Sequence, residues 1–129
     1  SHSANFFFRH PDVFDTVIAL SGLYDARFFV GNDISDQDVY FNSPVDYLAN
    51  LSDHYYLDAY RNGNIIVCTG QGNWEEATIR DTRLLKDILD SKGVPSWIDF
   101  WGYDVDHDWP WWRVQMPYFL KSLKDQGKL

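Results

Sequence analysis

Three short apolar runs divide the chain, and each of them ends at a glycine. They are TVIALSG (Thr16 to Gly22), NIIVCTG (Asn64 to Gly70) and SWIDFWG (Ser96 to Gly102). The first two are rich in Val, Ile and Leu almost without interruption, which is the pattern of parallel strands covered on both faces. The third alternates more between polar and apolar residues, which indicates a strand nearer the edge of a sheet.

The segment between the second and third runs has the pattern of an amphipathic helix. Its apolar residues from Ile79 to Leu89 keep to one face, acidic residues open it, and Gly93 is suited to end it. A strand, a helix and a strand in this order form a unit whose crossover is expected to be right-handed. The sequence therefore predicts an α/β fold with about three parallel strands and flanking helices.

Further helices are expected at both ends of the chain and between the first two strands. In the opening SANFFFRHPDVF, the phenylalanines would cover the sheet, and Pro11 would end or redirect the helix. In the closing WPWWRVQMPYFLKSLKDQG, Pro110 suits a first turn, whereas Pro117 is expected to kink the helix or restart it. Shorter helices are predicted around residues 44–50 and 52–61.

The outer edge of the first strand has no evident pairing partner in the sequence. A strand that is apolar on both faces makes a poor free edge, because its unpaired backbone groups invite aggregation. Either a second chain completes this edge and gives an oligomer, or the chain is the C-terminal part of a larger fold. We expect the second arrangement, in which residues 1–129 form one partial domain.

Composition argues against some classes of function. The formal net charge of -8 and the pI near 4.7 disfavour a nucleic-acid partner, whose phosphates need a basic surface. No run is long enough to span a membrane and no basic-then-apolar leader is seen, so we expect a cytoplasmic protein without membrane contact. The one cysteine, Cys68, lies in an apolar run and is expected to be a small buried hydrophobe.

The stretch GYDVDHDWPWWR places His107 among three aspartates and just ahead of three tryptophans. It follows the third strand and precedes a helix, and reacting groups gather at the carboxyl ends of parallel strands. His107 is therefore either a general base or a loop histidine paired with Asp104, Asp106 or Asp108, and position alone leaves both open. A metal site lacks support, because neither a calcium-loop pattern nor a second His or Cys cluster is present. We expect no metal and no cofactor.

The second candidate stretch, TGQGNWEEATIRD, follows the second strand. A carboxylate at the end of this strand can orient an imidazole and stabilise its protonated form. Alternatively, Glu75 and Glu76 only favour the N-terminus of the following helix, where negative charge is stabilised. We favour that helix role for Glu76.

Ser21 closes the first strand and could face the same edge of the sheet. Its context ALSGL lacks the G-x-S-x-G pattern of a strained nucleophile turn, and that pattern occurs nowhere in the 129 residues. His10 and His54 lie in contexts that indicate no catalytic role. The sequence thus offers candidates for a base and an acid, but no pattern typical of a nucleophile.

Three stretches together resemble the C-terminal half of the esterase-D-like family of α/β-hydrolases. They are NFFFRHPDVFDTVIALSGLYD, GQGNWEE and WGYDVDHDWPWWRVQMPYFL, so the resemblance covers nearly the whole chain. It implies that His107 is the catalytic histidine and that the triad acid lies in NWEE. We assign the acid to Glu75, with Glu76 as the alternative. The family's serine would lie on a G-x-S-x-G turn upstream of the helix at residues 3–10.

The resemblance implies a parent protein that is a serine carboxylic-ester hydrolase acting on a small-molecule ester. On this interpretation the present chain carries the histidine and the acid, lacks the nucleophile and the oxyanion hole, and is inactive alone. Two alternatives stay open. The same half-fold could be a non-catalytic interaction module, or the parent could be an acyltransferase built on the same scaffold.

Overall fold

The computed structural model describes residues 2–129, which form three parallel strands and seven helices and so confirm the predicted α/β class. None of these helices is long and apolar enough to cross a membrane. The elements in chain order are α1 (His2–Arg9), β1 (Thr16–Leu20), α2 (Arg27–Val30), α3 (Gln37–Tyr40), α4 (Pro44–Ala49), α5 (His54–Asn62), β2 (Asn64–Thr69), α6 (Glu76–Ser91), β3 (Trp97–Phe100) and α7 (Trp109–Asp125).

The three strands form one sheet in the order β1-β2-β3, with both pairings parallel. Ile18 lies opposite Ile66, and Ile66 lies opposite Trp97. β2 is the central strand, and its residues from Ile65 to Thr69 are all buried. β3 lies at an edge, as its more alternating pattern predicts. Each strand stops before the glycine that closes its apolar run.

Alternate residues of β1 and β2 pack into two cores on opposite faces of the sheet. On one face, Ile66 and Cys68 are covered by Phe119 and Leu123 of α7. The other face carries the larger core, to which α1, α4, α5 and α6 contribute. Its strand residues are Val17, Ala19, Ile65 and Val67. The sheet is thus covered on both sides, as the near-continuous apolar runs require.

Gly93 ends α6, as the sequence predicts, from the position after the C-cap residue Lys92. Its φ of +66° lies in the left-handed region, which glycine adopts without steric penalty. The N–H of Val94 donates to the carbonyl oxygen of Leu89 at 2.9 Å, and the N–H of Gly93 donates to that of Asp90 at 3.1 Å. These two hydrogen bonds satisfy backbone carbonyls that would otherwise lack a partner at the end of the helix.

Of the two expectations for Pro117, a kink or a restart of the last helix, the restart is wrong. α7 runs without a break from Trp109 to Asp125 with Pro117 inside it, and Asp108 caps its start by accepting from the N–H of Trp109 at 2.8 Å. Pro117 lies on the exposed side of the helix, where the carbonyl it leaves unpaired remains open to water. After the proline, Phe119 and Leu123 pack on the sheet. Before it, Gln115 is buried, so the opposite face of α7 is covered on both sides of Pro117.

β1 lies at an edge, and half of its backbone groups face away from β2. The N–H of Ser21 donates to the carbonyl oxygen of Cys68 at 2.7 Å, and the carbonyl of Asp15 accepts from the N–H of Asn64 at 2.8 Å. Because the bonding direction alternates along a strand, the amides of Ile18 and Leu20 point to the open edge. The expectation that a further strand pairs there stays a prediction.

We predict that the amides of Ile18 and Leu20 exchange rapidly with solvent in the monomer and become protected when another strand pairs with β1. The amides of Val17 and Ala19 bond to β2 and should be protected throughout, which makes them an internal control. Hydrogen exchange followed by NMR over a range of protein concentrations measures both pairs. An oligomer in which Ile18 and Leu20 still exchange rapidly would contradict pairing through this edge.

Cys68 is a buried hydrophobe, as its apolar context predicts. Its side chain has 0% exposure, and burial raises the pKa of the thiol far above its usual range. The negative charges of Asp99 and Glu75 add to this rise in pKa. Because the thiolate is the reactive form, a thiol held neutral is a poor nucleophile.

We predict that Cys68 resists alkylation by iodoacetamide in the native protein and reacts readily in urea. The unfolded thiol ionises above about pH 8.5, whereas the folded thiol, with its raised pKa, stays neutral. The free energy of unfolding should therefore fall as the pH rises above that value. Urea unfolding at a series of pH values measures the slope, which should be shallower in Cys68→Ala than in the unaltered protein. Equal slopes would contradict the assignment.

Candidate functional site

The loops that follow β2 and β3 interlock at the carboxyl edge of the sheet. We call residues 70–75 the acid loop and residues 101–108 the histidine loop. The backbone N–H of His107 donates to the carbonyl oxygen of Asn73 at 3.1 Å. In return, the N–H of Asn73 donates to Oδ1 of Asp106 at 2.7 Å. These bonds fix the position of the histidine relative to the acid loop.

Two glycines allow the loops to approach this closely. A Cβ atom on Gly70 would lie 2.1 Å from the carbonyl oxygen of Val105, and a Cβ atom on Gly72 would lie 2.3 Å from a side-chain oxygen of Asp106. Both distances are impossible without movement of the backbone or side chain. The N–H of Gly72 also donates to the carbonyl oxygen of Val105 at 2.9 Å. The close packing of the two loops therefore explains why glycine occupies positions 70 and 72 of TGQG.

The structure brings His107 and Glu75 into direct contact. Nδ1 of His107 lies 2.7 Å from Oε1 of Glu75, within the distance expected for a histidine and its orienting acid. The Glu75 side chain has 0% exposure, whereas the His107 side chain is 36% exposed. The acid is therefore shielded while the imidazole reaches the surface. Their catalytic role stays a prediction.

The turn before α6 separates the two glutamates of NWEE. Trp74 has a φ of +65° and is 88% exposed, and the residue after it, Glu75, turns into the protein. Glu76 begins α6 and is exposed. Of the two candidates for the acid, only Glu75 contacts the imidazole in the described structure.

Three hydroxyl groups surround the second oxygen of the Glu75 carboxylate. Oγ of Ser21 donates to Oε2 at 2.9 Å, and Oγ1 of Thr69 also bonds to Oε2. Oγ1 of Thr78 lies 3.2 Å from Oε2 and 2.9 Å from Oγ1 of Thr69. Sequence analysis placed Ser21 at this edge of the sheet but missed its link to Glu75, and it missed both threonines. Thr78 could have been found from its spacing, since it lies one helical turn after Glu75.

The imidazole of His107 has one nitrogen occupied and the other available. With Nδ1 on the carboxylate, the ring takes the tautomer in which Nδ1 carries the proton and Nε2 can accept one. The ring of Trp112 packs edge-on against it, with 5.0 Å between ring centroids. His107 therefore stands in a fixed orientation between a buried acid and a cavity.

The cavity beside His107 has a volume of about 700 Å³ and is open to solvent. It is formed by α1, the end of β1 and the segment that holds α2 and α3. Its apolar lining comes mainly from Leu20, Leu23, Ala26, Phe29, Val30 and Val39. Its polar lining comes from His2, Asn5, Ser21, Asp25, Asp38, Asn42 and His107. α2 and α3, which the sequence did not predict, thus supply one wall.

A buried carboxylate anchors this wall to α6. Asp81 has 0% exposure and accepts hydrogen bonds from the backbone N–H groups of Tyr24 at 2.9 Å and Asp25 at 3.1 Å. Asp25 in turn pairs with Arg27, which also contacts Asp46. Hydrogen bonds to Asp46 and Asp25 raise the pKa of Arg27. The segment after Ser21 is therefore held in place although it is irregular.

Two of the aspartates next to His107 have structural partners. Asp106 accepts from the N–H of Asn73, and Asp108 caps α7. Within residues 2–129, no three His, Cys, Asp or Glu side chains lie close enough together to hold a metal ion. The carboxylate that contacts the imidazole comes from the acid loop and not from the DVDHD stretch.

No protein-family model and no curated protein matches this sequence. The chain is similar in fold to solved structures, among them a ferulic acid esterase with 23% sequence identity and a TM-score of 0.70. The match covers 90% of this chain and 44% of that one, so the chain spans less than half of the esterase. A likeness at this level of identity establishes the fold and leaves the activity to be argued from the site.

We predict that Glu75→Ala lowers the free energy of unfolding by about 1–3 kcal/mol, because the imidazole and the hydroxyls around Glu75 lose their acceptor in a buried site. The matched control is Glu76→Ala, which removes an exposed charge at the start of α6 and should change the stability by less than about 1 kcal/mol. Urea unfolding monitored by tryptophan fluorescence measures both. Equal effects would contradict the distinct environments of the two glutamates.

Proposed function

We propose that this chain is the C-terminal half of a serine carboxylic-ester hydrolase of the α/β-hydrolase fold. The observation that carries the proposal is the contact between buried Glu75 and partly exposed His107, located beside a cavity at the carboxyl edge of a parallel sheet. In nucleophilic hydrolases the base is a histidine held by a carboxylate in this way, which supports the proposal.

In the proposed mechanism, Nε2 of His107 takes the proton of a serine hydroxyl as that serine attacks the ester carbonyl. The imidazolium then gives this proton to the leaving alcohol, and an acyl-enzyme forms. In the second half, His107 deprotonates a water molecule that attacks the acyl group, and the serine is regenerated. Glu75 holds the tautomer of His107 and stabilises its positive charge throughout. Acceptance of the acyl group by another hydroxyl in place of water would make the same site an acyltransferase.

The serine in this mechanism is not Ser21. Oγ of Ser21 donates to Oε2 of Glu75, on the acid side of the pair, and the residue is only 6% exposed. A nucleophile must instead contact Nε2 of His107, which is the base. We therefore propose that the nucleophile comes from a part of the protein outside the described residues.

Two features support a larger parent protein. The solved esterase that shares this fold is more than twice as long as the matched region. In addition, the amides of Ile18 and Leu20 on β1 are oriented to receive another strand. A strand paired there in parallel, as in the rest of the sheet, would end at the same edge as Ser21 and His107. It would bring a residue that follows it to the cavity.

The chemistry of the cavity favours a neutral ester. Its wall is mostly apolar, and two carboxylates, Asp25 and Asp38, lie on its lining. With a formal net charge of -8 on the chain, an anionic substrate would be repelled at this entrance. The proposed substrate class is therefore an uncharged small-molecule ester.

We predict that the 129-residue chain alone does not hydrolyse p-nitrophenyl acetate above the background of its histidines and is not labelled by a fluorophosphonate probe. The reason is the missing nucleophile. Saturable hydrolysis that Ser21→Ala abolishes would overturn this part of the proposal.

We further predict that the polypeptide extended upstream in its gene hydrolyses p-nitrophenyl esters. In that protein, His107→Ala should lower kcat/KM by at least about a thousandfold, and Glu75→Ala by at least about a hundredfold. The matched controls are His54→Ala and Glu76→Ala, two exposed residues, which should leave kcat/KM within about twofold. An active protein insensitive to His107→Ala would contradict the assignment.

A further inference from the structure

We propose that Ser21, Thr69 and Thr78 form a hydroxyl cage that positions the carboxylate of Glu75 and thereby sets the tautomer of His107. The inference deepens the proposed function, on which the importance of this pair for catalysis rests. The cage itself is defined by hydrogen bonds of the described residues. These three are positioning residues, since they act on the imidazole through Glu75.

The hydroxyls of the cage have backbone acceptors as well as Oε2: the carbonyl oxygen of Gly70 lies 3.0 Å from Oγ1 of Thr69, and that of Glu75 lies 2.8 Å from Oγ1 of Thr78. Each hydroxyl has a single proton. Ser21 can give its proton to Oε2, which lies 2.9 Å away, and Thr69 can give its own to the same oxygen. Thr78 gives its proton to the backbone carbonyl oxygen of Glu75 at 2.8 Å, and its Oγ1 lies 2.9 Å from that of Thr69. In this arrangement every proton is used once and Oε2 receives two donors.

The two hydrogen bonds to Oε2 also fix the position of the other carboxylate oxygen, Oε1. Rotation of the Glu75 side chain would break the bonds from Ser21 and Thr69 together. Oε1 is therefore held on Nδ1 of His107, at 2.7 Å. An acceptor fixed at Nδ1 favours the tautomer with the proton on that atom, so that Nε2 is left as the base. The three hydroxyls thus influence the protonation of Nε2 of His107, although none of them contacts that atom.

The backbone of Ser21 indicates that its position is a constrained one. Its φ of +50° lies in the left-handed region, which residues with a Cβ atom seldom adopt. The N–H of Ser21 donates to the carbonyl oxygen of Cys68 at 2.7 Å and extends the β1–β2 ladder by one residue. Glycine would fit this backbone with less strain but would lack the hydroxyl. The presence of serine at this strained position is consistent with a role for its hydroxyl group, which bonds to Glu75.

The three hydroxyls come from separate parts of the chain. Ser21 follows β1, Thr69 is the last residue of β2, and Thr78 lies in the first turn of α6. Each is buried, with an exposure of 6%, 0% and 2% respectively. In such a site a carboxylate depends on protein donors in place of water, and each donor therefore affects its orientation.

The test is the tautomer of His107, read from the ¹⁵N chemical shifts of its ring in the 129-residue chain. Spectra are recorded at about pH 9, where an ordinary imidazole is neutral. We expect the Nδ1–H form to dominate in the unaltered chain. Ser21→Ala and Thr69→Val should each lower the ratio of Nδ1–H to Nε2–H by roughly two- to tenfold, the range expected for loss of one hydrogen bond.

The matched control is Thr82→Val in the same helix as Thr78. Thr82 is also fully buried, and its Oγ1 has no hydrogen-bond partner among residues 2–129. Its replacement should leave the tautomer ratio unchanged. Thr69→Ser retains the hydroxyl and should restore the ratio that Thr69→Val loses. Equal changes in Thr82→Val and Thr69→Val would show a general packing effect and would overturn the proposal.

Ser21→Gly separates the hydroxyl from the strained backbone. It removes the same donor as Ser21→Ala while relieving the positive φ, so it should be the more stable of the two variants and show the same change in tautomer. A change in Ser21→Ala alone would assign the effect to the backbone and contradict the cage. If Thr69→Val fails to fold, Ser21→Gly still decides the question.

The outcomes separate the cage from the proposed function. Unchanged ¹⁵N shifts in both Ser21→Gly and Thr69→Val overturn the cage, even if the extended protein is an active esterase. Altered shifts with no esterase activity in the extended protein support the cage and contradict the proposed function.

Discussion

A carboxylate without exposure to water must find its hydrogen-bond donors inside the protein, and Glu75 is such a group. Its donors come from the end of β1, the end of β2 and the histidine loop, and the hydroxyl of Thr78 at the start of α6 lies beside them. Satisfying this one side chain therefore requires the strands to end at the same level and the loops to fold together. The remaining features of the site, including the orientation of His107 and its access to the cavity, depend on that requirement.

Much of the fold could be predicted from the sequence because it follows from periodicity. Buried parallel strands need nearly continuous apolar runs, and the starts of β1 and β2 were found at the residues where those runs begin. Gly93 was found for a similar reason, since a helix end needs a residue that tolerates positive φ. A restart of the helix at Pro117 was wrongly allowed, because the local cost of a proline does not reveal that it lies on the exposed side of α7, whose other side packs on the sheet. α2 and α3, each four residues long, are too short to show a period.

The site was predictable where it depends on position and not where it depends on side-chain direction. His107 and Glu75 follow two adjacent parallel strands, and the carboxyl ends of such strands must meet. The choice between Glu75 and Glu76 turns on the backbone of Trp74, whose positive φ has no signal in the sequence. The same holds for Ser21, whose left-handed backbone directs its hydroxyl to Glu75. Unusual backbone conformations are recorded in the structure alone.

The interlocking of the acid and histidine loops has a consequence for how such a site could be assembled. Gly70 and Gly72 leave no room between the loops, and the backbone bonds across them involve residues of this chain only. Glu75 and His107 are therefore set in place by the folding of this polypeptide alone. Under the proposed function, a separate chain that paired with β1 would meet a preorganised pair of Glu75 and His107. The rate of activation would then depend on the concentration of that chain, as binding does, and not on a slow rearrangement around His107.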